Sequence, residues 1–135
     1  MIDSSVLIAA ERGRLNLGRM TALLNEEFSC IAAITLSELW HGCHRGAGKA
    51  LESRLAFVQK IEAIMPVLDF SKKEALIHAR LWADLEKAGK RIGNHDMIIA
   101  ATAISHNHTL TTLNESEFER IHDLKVVAAS RFLLK

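Results

Sequence analysis

Asn94-His-Asp-Met-Ile-Ile-Ala-Ala-Thr-Ala-Ile104 and, after a short polar break, Thr109-Leu-Thr-Thr-Leu113 decide the fold. From Met97 to Ile104 only Thr102 is polar, so a helix here has no solvent face and must be covered on every side. The Thr/Leu run that follows has the composition of a short strand. A buried helix feeding a strand is the repeating unit of an α/β protein with a mostly parallel sheet.

The same alternation extends toward both ends. Met1 to Asp3 is an unusually short first strand, and helices are expected from Ser5 to about Arg12 and from about Leu15 to Glu26. Phe28 to Ala33 is expected as a buried strand, then helices over Thr35–Cys43 and Gly48–Ile64, the latter carrying Leu51, Leu55, Val58 and Ile61 at helical spacing. Pro66 to Phe70 is a short strand with proline at its start, where the missing donor does least harm. Ser71-Lys-Lys-Glu74 is a capping box that opens a helix, and Gly89 ends it. Asn94 is the expected N-cap of the buried helix, and a short helix from about Glu115 to Ile121 joins the last two strands, Thr109–Leu113 and Lys125–Ala129.

At 135 residues the chain fits one domain, 1–135, with a proper core. With 49% apolar and 24% charged residues it is of ordinary globular composition, and the single proline and absent tyrosine speak against a turn-rich β-sandwich. Cys30 and Cys43 are expected as buried thiols rather than a disulfide. A charged residue at position 3 argues against a signal peptide, and no apolar run is long enough to span a bilayer, so no membrane is expected and a reducing cytoplasm is the default. The net charge of +1 decides nothing about nucleic acid. Its distribution says more: Lys87, Lys90 and Arg91 precede Asp96, and Arg45, Lys49 and Arg54 follow Glu38. They form either solvated helix faces or phosphate contacts around an acidic centre.

That centre is the set Asp3, Glu38, Asp96 and Glu117, each standing just beyond a strand-like run or at a helix start. Singly, each has a structural explanation. Thr35-Leu-Ser-Glu38 fits a capping box and Asn114-Glu-Ser-Glu117 a looser one. Asp3 can cap the first helix, and Asp96 suits the positive end of its helix dipole. Together they point further, because helix starts that follow parallel strands share one rim of the sheet, where such folds bind ligands. Clustered carboxylates repel unless a cation holds them, which implies a hard divalent metal.

Four segments carry a resemblance: Ile2-Asp-Ser-Ser-Val-Leu-Ile8, Thr35-Leu-Ser-Glu-Leu39, Ile92-Gly-Asn-His-Asp-Met-Ile-Ile-Ala-Ala-Thr-Ala103 and Thr111-Thr-Leu-Asn-Glu-Ser-Glu-Phe118. In this order and spacing the chain resembles, over essentially its full length, PIN-domain ribonucleases, most closely the VapC-type toxins of toxin–antitoxin pairs. The resemblance implies a three-layer α/β/α sandwich and a Mg²⁺- or Mn²⁺-dependent endoribonuclease centred on the residues matching Asp3, Glu38 and Asp96. A fourth acid falls at Glu117, one methylene longer than the Asp common there; Asn114 lines the pocket and Ser5 lies near the first Asp. It also implies an RNA substrate (transfer RNA as the family-level expectation), a homodimer, a VapB-type antitoxin and a larger complex with it.

The chemistry expected is phosphodiester hydrolysis. Asp3 and Asp96 would be inner metal ligands and Glu38 a third partner that orients or deprotonates the attacking water. Asn114 and Ser5 would position waters or a phosphate oxygen. Three competing readings stand beside it. His41, Cys43 and His44 suggest zinc, but helical spacing does not bring all three to one face. His95-Asp96 suggests an HD-type phosphohydrolase, which needs an all-helical frame. A non-catalytic PIN-like interaction module would keep the fold without needing clustered negative charge. Leu39, Trp40 and the Leu51 to Ile61 stripe are either partner surfaces or core.

Overall fold

A computed structural model describes residues 1–24 and 29–135; the expected end of the second helix and the start of the second strand fall on residues 25–28, outside the described residues. In chain order the elements are α1 (Ser4–Glu11), α2 (Leu17–Leu23), β1 (Ile31–Ala32), α3 (Ala33–His44), α4 (Gly48–Ile64), β2 (Val67–Leu68), α5 (Lys72–Ala88), α6 (Asn94–Ser105), β3 (Leu110–Thr112), α7 (Glu115–Phe118) and β4 (Val126–Ala128). A 3₁₀ turn, Ser130–Phe132, follows.

Strands β1 and β2 pair in parallel with Ile31 opposite Val67, and β3 and β4 pair in parallel with Thr111 opposite Val127. The first three residues stitch the two pairs together. Ile2 N–H donates to the Cys30 carbonyl at 2.9 Å, Thr111 N–H to the Met1 carbonyl at 2.9 Å, and Asp3 N–H to the Thr111 carbonyl at 3.0 Å. The order across the sheet is therefore β2, β1, Met1–Asp3, β3, β4, with the chain's first residues at the centre. Ile2 and Thr111 form a parallel bridge, and α1 begins directly after Asp3, at Ser4.

The strands are shorter than their sequence pattern suggests, two or three residues each. Their side chains still alternate between two cores, as a pleat requires. Met1, Cys30, Ala32 and Leu110 join one apolar cluster with α5 and α6, while Ile2 and Ile31 join another with α1, α3 and α4. Helices thus cover both faces of a parallel sheet, a three-layer α/β/α sandwich.

Leu39, Val58 and Ile61 are buried in the second cluster, and Trp40, Leu51 and Leu55 pack against it, so that stripe serves the interior. Cys30 and Cys43 are both buried and form no disulfide; burial pushes the Cys43 thiol up.

Helix α6 is as enclosed as its composition requires, with Ile99, Ala100, Ala101 and Ala103 fully buried. Its N-cap is Gly93, and Asn94 is its first helical residue rather than its cap. The capping box expected over Thr35–Glu38 does not form. Strand β1 ends at Ala32 and α3 begins at once at Ala33, so Thr35 and Glu38 lie inside the helix. Helix α7 stops at Phe118, before the expected Ile121.

The Ser71 box does form. Glu74 Oε1 accepts from Ser71 N–H at 3.0 Å and from Ser71 Oγ at 2.6 Å, while its Oε2 accepts from Ser105 Oγ at the end of α6. One buried carboxylate thereby starts α5 and ties it to α6. At the other end Gly89 closes α5 with φ 66°, in the left-handed region open to glycine.

The bonds from Ser105 and Ser71 hold the Glu74 carboxyl down at about 2, from an ordinary 4.5. Its stabilisation is therefore complete above pH 4.5 and is lost as pH falls toward 2. Glu74→Ala should lower the unfolding free energy at pH 7 by about 1–3 kcal/mol. In urea melts across pH, the gap between parent and variant should narrow below pH 4.5; a gap of constant size would contradict this account.

Candidate active site

Asp3 occupies the N-cap position of α1, yet its side chain makes no capping bond. It turns toward the end of β3 instead, where its Oδ2 accepts from Ser5 Oγ and Thr112 Oγ1, both at 2.7 Å. Only 2% of the residue is exposed, and its second oxygen, Oδ1, is buried with no hydrogen-bond partner. The support beneath it is double. Ser5 Oγ also accepts from Leu113 N–H at 3.1 Å, and Thr112 Oγ1 accepts from Asn114 N–H at 2.9 Å. The backbone leaving β3 is thus tied to the hydroxyls that hold Asp3.

Glu38 reaches the same pocket from α3. Its Oε1 accepts from Ser4 Oγ at 3.4 Å, and its Oε2 lies 3.9 Å from His95 Nδ1. Burial raises the Glu38 carboxyl above its usual 4.5, and the charge of Asp3 adds to this against the help of His95 and Ser4.

Asp96 is the third residue of α6. A helix N-terminus favours a carboxylate, but burial wins and pushes this one up to about 7, aided by its hydrogen bond to Glu117 and by the charges of Asp3, Glu117 and Glu38. Glu117 is lowered by the same bond, with further help from Asn114, Arg120 and the Gly93 N–H. The direct bond between the two carboxyl groups thus acts in opposite directions, raising Asp96 and lowering Glu117. Asn114 Nδ2 sits across the pair, 3.1 Å from Glu117 Oε2 and 3.5 Å from Asp96 Oδ2.

The structure therefore gathers Asp3, Glu38, Asp96, Glu117 and Asn114, with Ser5, into one pocket. Glu117 is hydrogen-bonded to Asp96. Thr112, Ser4 and Gly93 were not singled out from sequence. Gly93 contributes through its backbone, whose N–H is hydrogen-bonded to Glu117.

The two basic clusters part company. Arg54 is a structural clamp, its Nη1 donating to the Gly42 carbonyl at 3.0 Å and its Nε lying 3.6 Å from Glu11. Lys87, Lys90 and Arg91 remain exposed beside the loop into α6. The parallel strands exclude the all-helical HD frame.

Among the described residues, no three His, Cys, Asp or Glu side chains form a ready-made metal cage. The donor set nevertheless fits a hard cation. Mg²⁺ keeps most of its waters and takes only one or two carboxylates directly, and Asp3 Oδ1 is a buried anionic oxygen with nothing else to bind it.

Fold and site together define a parallel α/β domain whose acids converge beyond the strands' carboxyl ends. The family model of the PIN domain matches residues 1–124, and the chain belongs to this family. It is similar to Ribonuclease VapC1 of Rickettsia felis, 37% identical over 132 residues and 96% of each chain. It is also similar to the tRNA(fMet)-specific endonuclease VapC of Salmonella typhimurium, 31% identical over 126 residues, 93% of this chain and 94% of that one. Among solved structures it is similar to VapBC2 of Rickettsia felis bound to a DNA fragment from their promoter, with a TM-score of 0.84 at 28% identity over 95% of this chain and 96% of that one. DNA-bound VapBC of Salmonella typhimurium gives the same TM-score, 0.84, at 30% identity over 95% and 96%.

At pH 8, where Asp96 is mostly ionised, removing one charge should relieve repulsion. Metal-free Asp96→Asn protein should then melt at a higher temperature than the parent. The parent should gain stability from Mg²⁺, about 2.7 kcal/mol at a hundred times its dissociation constant, and the variant little. Scanning fluorimetry with and without EDTA reads both, and a parent melt indifferent to Mg²⁺ and Mn²⁺ would remove the metal assignment.

Proposed function

We propose that residues 1–135 act as one metal-dependent nuclease domain that hydrolyses RNA in the pocket of Asp3, Glu38, Asp96 and Glu117. The chain is a VapC-type endoribonuclease, the toxin of a type II toxin–antitoxin system. The observation that carries the metal-dependent reading is the buried, unpartnered Oδ1 of Asp3, whose charge acts on both Glu38 and Asp96.

Asp3 and Asp96 would hold Mg²⁺ or Mn²⁺, with Glu38 as a third partner. A divalent cation there would neutralise charge on the phosphate and lower the pKa of bound water. The protein's own groups do the rest. Ser5 and Thr112 fix the orientation of Asp3, and Asn114 fixes the Asp96–Glu117 pair. Glu38, raised by burial, is suited to take a proton from the attacking water. Water attacking phosphorus in line with a departing 3′-oxygen would break the P–O3′ bond and leave a 5′-phosphate and, once that oxygen is protonated, a 3′-hydroxyl.

Transfer RNA is the substrate class suggested by the Salmonella relative, whose name specifies tRNA(fMet). A VapB-type antitoxin is the expected partner, since the similar structures are VapBC complexes. A cationic side chain from such a partner would suit the acidic pocket and block it. We include a homodimer in this reading, and action in the cytoplasm. No helix among the described residues is long and apolar enough to cross a membrane.

Purified protein should cut RNA with Mg²⁺, and EDTA should stop it. Asp96→Asn should abolish cleavage, and Glu38→Gln should slow it about 10²- to 10⁴-fold. Cleavage by Asp96→Asn at the parent rate would sink the catalytic assignment of these acids.

A further inference from the structure

Glu117 stands on the least self-sufficient element of the site. Helix α7 is four residues long, and a single turn does not hold itself in water, so its surroundings must fix it. Phe118 at its end is wholly buried, and Ile121 just beyond is buried as well. Arg120 lies between these two anchors and is exposed. Its backbone N–H donates to the Glu117 carbonyl at 3.2 Å, which places both residues on one turn.

Two bonds of opposite sense join this turn to the loop between α5 and α6. Arg120 Nη1 donates to the Arg91 carbonyl at 2.6 Å. In return, the Gly93 N–H is hydrogen-bonded to Glu117. Ile92, between the two bonded loop residues, is buried and ties the loop to the core. The Arg91 side chain takes no part, since its guanidinium lies 3.3 Å from Glu86. Arg120 and Glu117 therefore grip the same short piece of backbone, and α6 with Asp96 begins directly after it.

An exposed arginine near acids suggests a phosphate contact as well. Arg120, however, lines an open recess together with Glu119, whose carboxylate opposes a polyanion, and its Nη1 is already engaged with the loop. Building on the nuclease reading, we propose that Arg120 is a positioning residue: it clamps the loop to α7 and, through the Gly93 N–H, fixes the Glu117 carboxylate against Asp96 and Asn114. A glutamate side chain has more rotational freedom to lose than a shorter acid, and this clasp removes it before substrate arrives. Arg120 itself touches no reacting atom.

Rate and position are read separately. In Mg²⁺-dependent RNA cleavage, Arg120→Ala should lower kcat about tenfold and leave KM within about twofold of the parent. The Gly93 amide should exchange with solvent about tenfold faster in this variant, followed by NMR. Arg120→Lys keeps a donor and the charge, and should restore kcat to within about threefold of the parent. Gly93→Pro removes the other bond at a φ of −59°, which a proline ring accepts. It should lower kcat to a similar extent, and the double variant should fall no further, because both act through one carboxylate. Additive losses in the double variant overturn the proposal. So does a raised KM at parental kcat, which would make Arg120 an RNA contact. A lower melting temperature with kcat, KM and Gly93 exchange unchanged overturns it too, leaving only a structural tie. A parent that cuts no RNA with Mg²⁺ or Mn²⁺, while Arg120→Ala still frees the Gly93 amide, would instead overturn the nuclease reading on which this one rests.

Discussion

The rest of the structure depends on one buried negative charge, the carboxylate of Asp3. An ion removed from water costs several kcal/mol unless it is paired and hydrogen-bonded. Here the arrangement that limits that cost also builds the site. Ser5 and Thr112 give one oxygen two short bonds, which fixes the start of α1 against the end of β3. The other oxygen is buried without a hydrogen-bond partner. Had Asp3 capped its helix, as its position permits, α1 would be better satisfied and the pocket would lose its innermost acid.

The sheet could not organise such a pocket by length, since its strands span only two or three residues. Their common direction does the work. Each parallel strand delivers its successor to the same rim, so Asp3, the start of α3 and Asn114 arrive together. Asp96 comes by a different route, through the α5–α6 hairpin. The Glu74 carboxylate secures that hairpin at the Ser71–Ser105 end, and Gly89 and Gly93 turn the chain at the other. The centre is therefore assembled from two independently braced halves of the chain. The raised Asp96 carboxyl reflects bringing these acids together in a buried place.

What the amino-acid order revealed follows the same division. Composition found the buried α6, because a helix whose only polar residue from Met97 to Ile104 is Thr102 has no face to give to solvent. The Ser71–Glu74 box and Gly89 were legible because they are local signals that act within one turn. The box at Thr35 was misleading for the reason that local signals fail: the length of β1 sets where α3 starts, and pairing with β2 sets β1. Asn94 and Gly93 differ by one position, which sequence alone does not separate when both suit a helix start. Thr112 escaped notice because a threonine in a strand is ordinary, and only the register beside Met1–Asp3 gives its hydroxyl a duty. Family resemblance supplied the grouping of the acids; the contact between Glu117 and Asp96 needed coordinates.

Helix α6 carries a last consequence. Ala100, Ala101 and Ala103 have no exposed surface, and the helix is packed against both α5 and the sheet. An interior at crystal-like density has no slack for an added methyl group. A wider side chain at any of these alanines would push the helix bodily, and Asp96 rides on its first turn. In a collection of inactive variants selected by loss of growth arrest, such remote alanines should therefore turn up beside the acids themselves. The aim of the reacting end is written partly in side chains too small to touch anything that reacts.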